Sequence, residues 1–280
     1  MMRAVGEIQI RNVQGFGEYE RLADLQRDVW SFPDLDIVPA AHLVAVHHYG
    51  GVCIGAFDGE VMVGFVFGFV GRDLERVFHH SHMLGVLPTY QRQGLGESLK
   101  WAQRQRVQAQ GMDLINWTYD PLQAPNANLN INRLGAVVRK YMLNVYGESV
   151  SPLHGGIPTD RFEAEWWLQS PRVLAAREGR RPERQGWEQL PRANRAFGGR
   201  GEFLSCGEDL QLEIDSDELL IEIPPAITPI MARDRELALD WRLKTRKIFQ
   251  AYLGRGYAVV GLHRSEGRVF YRVEKGSADR

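Results

Sequence analysis

Only two cysteines occur in 280 residues, Cys53 and Cys206. Neither sits in a C-x-x-C pair, so the sequence holds neither a cysteine metal motif nor a disulfide framework. Charge of one sign is also missing: the formal net charge is −1, and no global field draws the chain to nucleic acid or to an anionic membrane. Long apolar runs are missing too. The longest, "VMVGFVFGFVG" (61–71), is too short to span a bilayer and carries three glycines. The first residues, "MMRAVGEIQIRN", lack the apolar centre of a signal peptide. These absences leave an ordinary globular chain, expected in the cytoplasm, with room for one large domain or two smaller ones.

What is present is a mixed pattern of strands and helices. "EIQIRNV" (7–13) alternates as a strand does, and "GEYERLADLQRDVW" (17–30) places Leu22, Leu25 and Val29 on one helical face before Pro33. A second short helix stops at Gly50–Gly51. Two β-rich runs then flank Asp58–Gly59, a preferred hairpin turn. "VFHHSHMLGV" (77–86) is a further strand, residues 93–110 a helix, and "DLINWTY" (113–119) a strand. "APNANLNINRLG" (124–135) reads as a short helix, and "AVVRKYMLNVYG" and "RFEAEWWL" as two closing strands. The order β-α-α-β-β-β-α-β-α-β-β is a mixed α/β (α+β) sheet, not the regular alternation of a doubly wound nucleotide fold.

Residues 171–200 change character. Eight arginines face three glutamates, with three prolines among them, which suggests a linker or a long excursion. An alternative is an anion-binding patch, for instance for the 3′-phosphate of a nucleotide. Residues 201–280 form a second unit of order β-α-β-β, built on "ELLIEIP", one long amphipathic helix and a hairpin turning near Glu266–Gly267. That order echoes the end of the first unit and raises the question of a partial repeat.

The chemistry concentrates in "SHMLGVLPTYQRQGLGESLK" (81–100), where a strand ends at a glycine-bearing loop and a helix follows. A Walker loop needs a lysine after its last glycine, and a dinucleotide fingerprint needs a third glycine; neither is here. Gln91-x-x-Gly94-x-Gly96 remains. Free N–H groups and the macrodipole at a helix start bind an anion. Glycines let the backbone approach it.

The stretch resembles the R/Q-x-x-G-x-G/A motif of the GNAT acyltransferases, and the element order from residue 7 to about 169 is similar to that fold. "NWTYDPL", "NANLNINRLGA" and "NVYG" extend the resemblance to a subgroup of acetyltransferases of unassigned substrate. The resemblance implies acetyl-CoA or coenzyme A as cofactor and an amine on a small molecule or peptide as acceptor. It implies a GNAT domain over 1–170, followed by the segment 171–200 and a C-terminal β-α-β-β unit over 201–280. Backbone groups of Leu84, Gly85 and Val86 would meet the pantetheine arm, in the splay between two strands. Gln91, Arg92, Gln93, Gly94, Leu95 and Gly96 would surround the pyrophosphate, with Ser98 in reach. Asn126 and Asn130, four apart on the short helix, would share a face toward the thioester end; local capping is the alternative. Many members carry a tyrosine as general acid where this chain has Ile131.

Direct transfer to an amine requires a base near pH 7, and histidine suits it. In "VFHHSHM", strict alternation would put His80, His82 and Leu84 on one face and His79 and Ser81 on the other. His82 is the first candidate base, Asp120 the second, and Tyr119 and Tyr141 the candidate acids. The rival reading is a non-catalytic acyl-CoA-binding or regulatory module. Nucleic acid and membrane are not expected as partners, and a homodimer is left open.

Overall fold

In a computed structural model of the protein, residues 7–147, 156–180, 185–198 and 201–276 are described. The chain divides into two compact units, 1–117 and 118–280.

The first unit is a sheet with helices on both faces. Strand β1 (Ile8–Asn12) pairs antiparallel with β2 (Val52–Asp58), β2 with β3 (Val61–Arg72), and β3 with β4 (Val77–Val86). Two helices, α1 (Gly15–Trp30) and α2 (Ala40–His48), precede β2, and α3 (Leu95–Ala109) follows β4. Leu22 and Leu25 of α1 and Leu43 of α2 pack with Phe57, Phe65 and Phe67 into a core. The hairpin turns at Gly59, whose φ of +61° is cheap only for glycine. On α3 the buried stripe Leu95, Leu99, Gln103, Val107 follows the i, i+4 spacing, with Lys100 and Arg104 beside it. β5 (Leu114–Tyr119) runs parallel to β4 through His79↔Ile115 and His80↔Asn116.

The second unit begins with the end of β5. A four-residue α4 (Ala124–Ala127) passes directly into a π-helical turn, Asn128–Arg133. β6 (Val137–Met142) pairs antiparallel with β7 (Arg161–Trp167) and touches β11 (Tyr257–Ser265) at Val138↔Val259. β11 pairs with β12 (Arg268–Lys275), and β12 with β10 (Glu218–Ile223). Strands β8 (Ala196–Gly198) and β9 (Leu204–Cys206) form a small separate ladder. Helices α5 (Pro171–Arg177), α6 (Ile227–Arg233) and α7 (Arg235–Gly254) complete the unit. Asp234 caps α7 by accepting the Leu237 N–H at 2.9 Å. Trp241, Ile248, Phe249 and Tyr252 of α7 are fully buried.

The segment 171–200 departs from the free excursion expected of it. Val173 and Ala193 are inaccessible, and Asn194 is 1% exposed. Arg172 donates to the carbonyls of Gly135 and Val260, and Asn194 is bonded both ways to Glu222. Its arginines thus include structural donors that satisfy buried carbonyls, which a count of charges does not distinguish from solvated ones. Residues 181–184 and 199–200 of the segment lie outside the described residues. Among the described residues no single helix is long and apolar enough to cross a membrane.

Candidate functional site

β4 and β5 part company after His80↔Asn116. From Ser81 to Val86, β4 continues with β3 as its one strand neighbour. Among the described residues, backbone groups of Ser81 to Gly85 on the side toward β5 lack a ladder partner, which leaves them open to an extended, amide-bearing ligand. Gly85 in this stretch is a packing glycine: a Cβ there would meet Phe65 at 2.7 Å.

The strict alternation expected for β4 does not survive. The β3–β4 register jumps from Phe67↔Met83 to Gly68↔Ser81, so His82 is the extra residue of a β-bulge. Ser81 accepts a hydrogen bond from Lys100 Nζ at 2.9 Å, and His79 Nε2 is 3.1 Å from Gln103 Nε2, so both face α3. His80 and His82 lie on the opposite face against Phe69, with ring centroids at 5.1 and 5.7 Å. Leu84, expected on their face, is instead 3.7 Å from where a Gly96 Cβ would stand, on the α3 side. The bulge is what moves it.

The bulge also pushes His82 out. His82 is exposed, with the rings of Phe67, Phe69 and His80 at centroid distances of 6.0, 5.7 and 6.1 Å. Desolvation lowers its pKa below the usual histidine value, and His80 and His42 push the same way. His80 is oriented by Asn116, whose Oδ1 lies 2.8 Å from Nδ1. Asn116 was not singled out in the sequence; its place opposite His80 depends on the parallel register of two strands far apart in the chain.

At the other end of the splay the loop 87–94 delivers the start of α3. Arg92 has a φ of +64° and Gly94, the N-cap, a φ of +80°. These two left-handed residues turn the chain so that the first-turn N–H groups of α3, which have no acceptor inside the helix, point outward. A Cβ at Gly94 would meet nothing, so the need for glycine there is conformational. A Cβ at Gly96 would meet only Leu84 at an ordinary 3.7 Å, and Gly96 has no left-handed φ. Nothing in the protein requires Gly96 to be glycine. Its lack of a side chain keeps the helix start open. Arg92 is exposed and has no side-chain partner among the described residues. Gln91, expected beside an anion, turns its amide back to the Val86 carbonyl at 3.0 Å and ties the loop to β4. Gln93 donates similarly to Thr89, and Ser98 to Gly94, both at 3.3 Å. Leu95 is buried as an anchor of α3.

The remaining candidates belong to the second unit. Asn126 is exposed and Asn130 is buried. Residues four apart do not share a face here, because the helix changes from α to π between them. Tyr119 is 3% exposed and its hydroxyl is buried against Phe162 and Tyr271; burial raises its pKa. It has no route to a substrate proton. Asp120 accepts from Leu122 N–H at 2.8 Å and holds Arg242 Nη2 at 2.7 Å, so its carboxylate is already engaged. Tyr141 donates to Asp160 at 2.7 Å, and its pKa is raised by burial and by that carboxylate. Ile131 is fully buried. Of the acid–base candidates His82, Asp120, Tyr119 and Tyr141, His82 is the exposed one without a hydrogen-bond partner among the described residues.

These features define a mixed α/β protein with a strand splay and an open helix start. Residues 19–129 match the model of the acetyltransferase (GNAT) family. No match was found among curated proteins. Among solved structures, the ribosomal-protein-S18-alanine N-acetyltransferase of Escherichia coli is 16% identical, with 57% of this chain and 94% of that one covered and a TM-score of 0.47. An acetyltransferase from Salmonella typhimurium with its cofactor acetyl-CoA is 18% identical over 58% of this chain and 94% of its own, with a TM-score of 0.47. NAA60 of Arabidopsis thaliana in complex with acetyl-CoA is 15% identical over 57% and 99%, with a TM-score of 0.43.

Proposed function

We propose that the protein is an acetyl-CoA-dependent N-acyltransferase that moves an acetyl group to an amine of a small molecule or peptide. The acetyltransferase domain on this reading runs from residue 1 to about 170, with 201–280 as an added β-α-β-β unit. The observation that carries it is Gly96: a helix start kept open beside a strand splay, where the protein's own packing asks for no glycine. When bound, acetyl-CoA supplies the activated acetyl thioester. The N–H groups at the start of α3 and the Arg92 guanidinium hold its phosphates. The edge of β4 from Leu84 to Val86 would bond its amide arm, with Gln91 giving up the Val86 carbonyl if that group is used. A ring nitrogen of His82, neutral at physiological pH because its pKa is lowered, would take a proton from the acceptor ammonium; the neutral amine then forms the C–N bond as the thioester C–S bond breaks, and coenzyme A leaves as thiolate, to be protonated by solvent. The same lowering places the acid limb of turnover below pH 6.5.

Calorimetric titration with coenzyme A tests the reading. Gly96→Val puts a β-branched side chain in front of the helix start and should abolish binding in a protein that still melts cooperatively. Retained affinity would place the anion elsewhere. Gly94→Val is the weaker test, since φ of +80° adds backbone strain of its own. His82→Ala should lower turnover at least tenfold with coenzyme A affinity unchanged. One observation favours a second reading, a module that binds acyl-CoA without turning it over. The position of the usual acid tyrosine is a buried isoleucine, Ile131. Coenzyme A release with any amine would exclude it.

A further inference from the structure

Five charged side chains collect where β5, β7 and α7 of the second unit meet, and their charges do not balance. Asp120 is paired with Arg242 at 2.7 Å. Asp160, fully buried, is paired with Arg246 through two bonds of 2.7 and 2.8 Å and also accepts from Tyr141. The third arginine, Arg161, has no carboxylate among the described residues. Its Nη2 donates to the Thr118 carbonyl at 2.7 Å and its Nε to Thr118 Oγ1 at 3.2 Å. One edge of the guanidinium is therefore fixed to the last turn of β5, and the Nη1 end has no partner among the described residues. The Tyr146 ring lies 5.6 Å away and bounds the other side. Burial lowers the pKa of Arg161, Tyr146 and Asp120 oppose that shift, and Arg242 adds to it. A positive charge held in one orientation, partly desolvated and left over after both aspartates are claimed, calls for an external anion.

The surroundings narrow the ligand. Leu143, Val145 and Tyr146 leave 51%, 37% and 52% of their surfaces exposed in one turn after β6. That turn is pinned beside Arg161, because Val145 N–H donates to the Thr159 carbonyl at 3.2 Å and Tyr146 N–H to Thr159 Oγ1 at 2.9 Å. A fixed apolar rim next to a free guanidinium end fits a molecule with a carboxylate at one end of an apolar body.

We propose that Arg161 binds the carboxylate of a carboxylic acid with an apolar side chain. The site stands on the geometry of the second unit alone. The probes are N-acetylphenylalanine and its amide in calorimetry. The acid should bind at least tenfold more tightly than the amide. Arg161→Met should erase that difference with coenzyme A affinity unchanged, and Arg161→Lys should restore part of it. Tyr146→Ala, which leaves the Thr118 bonds intact, should weaken acid binding even if Arg161→Met proves unstable. Equal binding of acid and amide, binding of neither, or undiminished acid binding in both Arg161→Met and Tyr146→Ala would overturn the proposal. Acid-selective binding in a protein that does not take coenzyme A would instead uphold the carboxylate site and overturn the acetyltransferase reading.

Discussion

Lys100 in the first unit and Arg242 in the second are almost equally hidden, at 2% and 1% exposure, and the chain treats them in opposite ways. Lys100 reaches Ser81 Oγ at 2.9 Å, Gln103 Oε1 at 3.0 Å and the face of Trp117 at 3.7 Å. Burial pushes its pKa well down. Arg242 is set against Asp120, and its pKa stays raised, with Asp120, Tyr141 and Asp160 overcoming desolvation. An ammonium can shed its proton to escape a dry site, whereas a guanidinium cannot and must be given an anion. The first unit therefore buries a group that titrates, and the second a permanent charge. Arg161 stands out because it follows neither course.

The sharpest way to break the contrast is to remove one partner in the second unit. Asp120→Ala leaves Arg242 charged and unpaired, with Nε and Nη1 already lacking partners, and should cost about 3–5 kcal/mol of unfolding free energy in denaturant melts. The double variant Asp120→Asn with Arg242→Met should recover most of that loss. A double variant as unstable as the single one would show that the charge is not what makes the site costly.

Lys100→Met tests the other side. Burial makes the folded protein bind the Lys100 proton less tightly than the unfolded chain, whose ordinary value is 10.5. Lys100 therefore adds stability as pH rises toward 10.5 and withdraws it as pH falls. The difference in stability between wild type and Lys100→Met should drift in that direction over the alkaline range, by at most about 1.4 kcal/mol per pH unit. A difference constant with pH would mean that Lys100 keeps its proton when folded.

The smallest effect belongs to His79, which touches the same network through Gln103. Burial first, then Lys100 and His80, depress its pKa from 6.5 to about 3. The unfolded chain then takes up a proton that the folded one refuses, so stability falls as pH drops below 6.5. His79→Asn should flatten that acid limb, and His263, depressed to about 4 by burial, should supply what slope remains. An unchanged limb would assign acid sensitivity to other groups.

Some of this was legible in the chain itself. Periodicity and turn residues gave the element order from β1 to β7, because amphipathic spacing and a hairpin at Asp58–Gly59 are local properties. The helix start at Gly94 and Gly96 was legible for the same reason. His82 was picked for its place on β4, yet its exposure comes from a bulge that no alternation rule foresees. Asp120 looked like a base because its partner, Arg242, lies 122 residues away. Asn126 and Asn130 looked paired because the change from α to π turns carries no residue signature that was used. Lys100 and Gln103 fell on the buried stripe of α3, a spacing that was available but was masked by their polarity.

The sequence alone settled the strands and helices from β1 to β7 and the glycine-bearing helix start, since backbone conformation and glycine placement are decided within a few residues. Tertiary structure alone decided which charges survive as reagents. Whether a carboxylate is a base or a counterion, and whether a guanidinium is a strut or a receptor, depends on which distant side chain shares its dry surroundings. In this chain that choice occupies Asp120 and Asp160 and leaves the Nη1 end of Arg161 open.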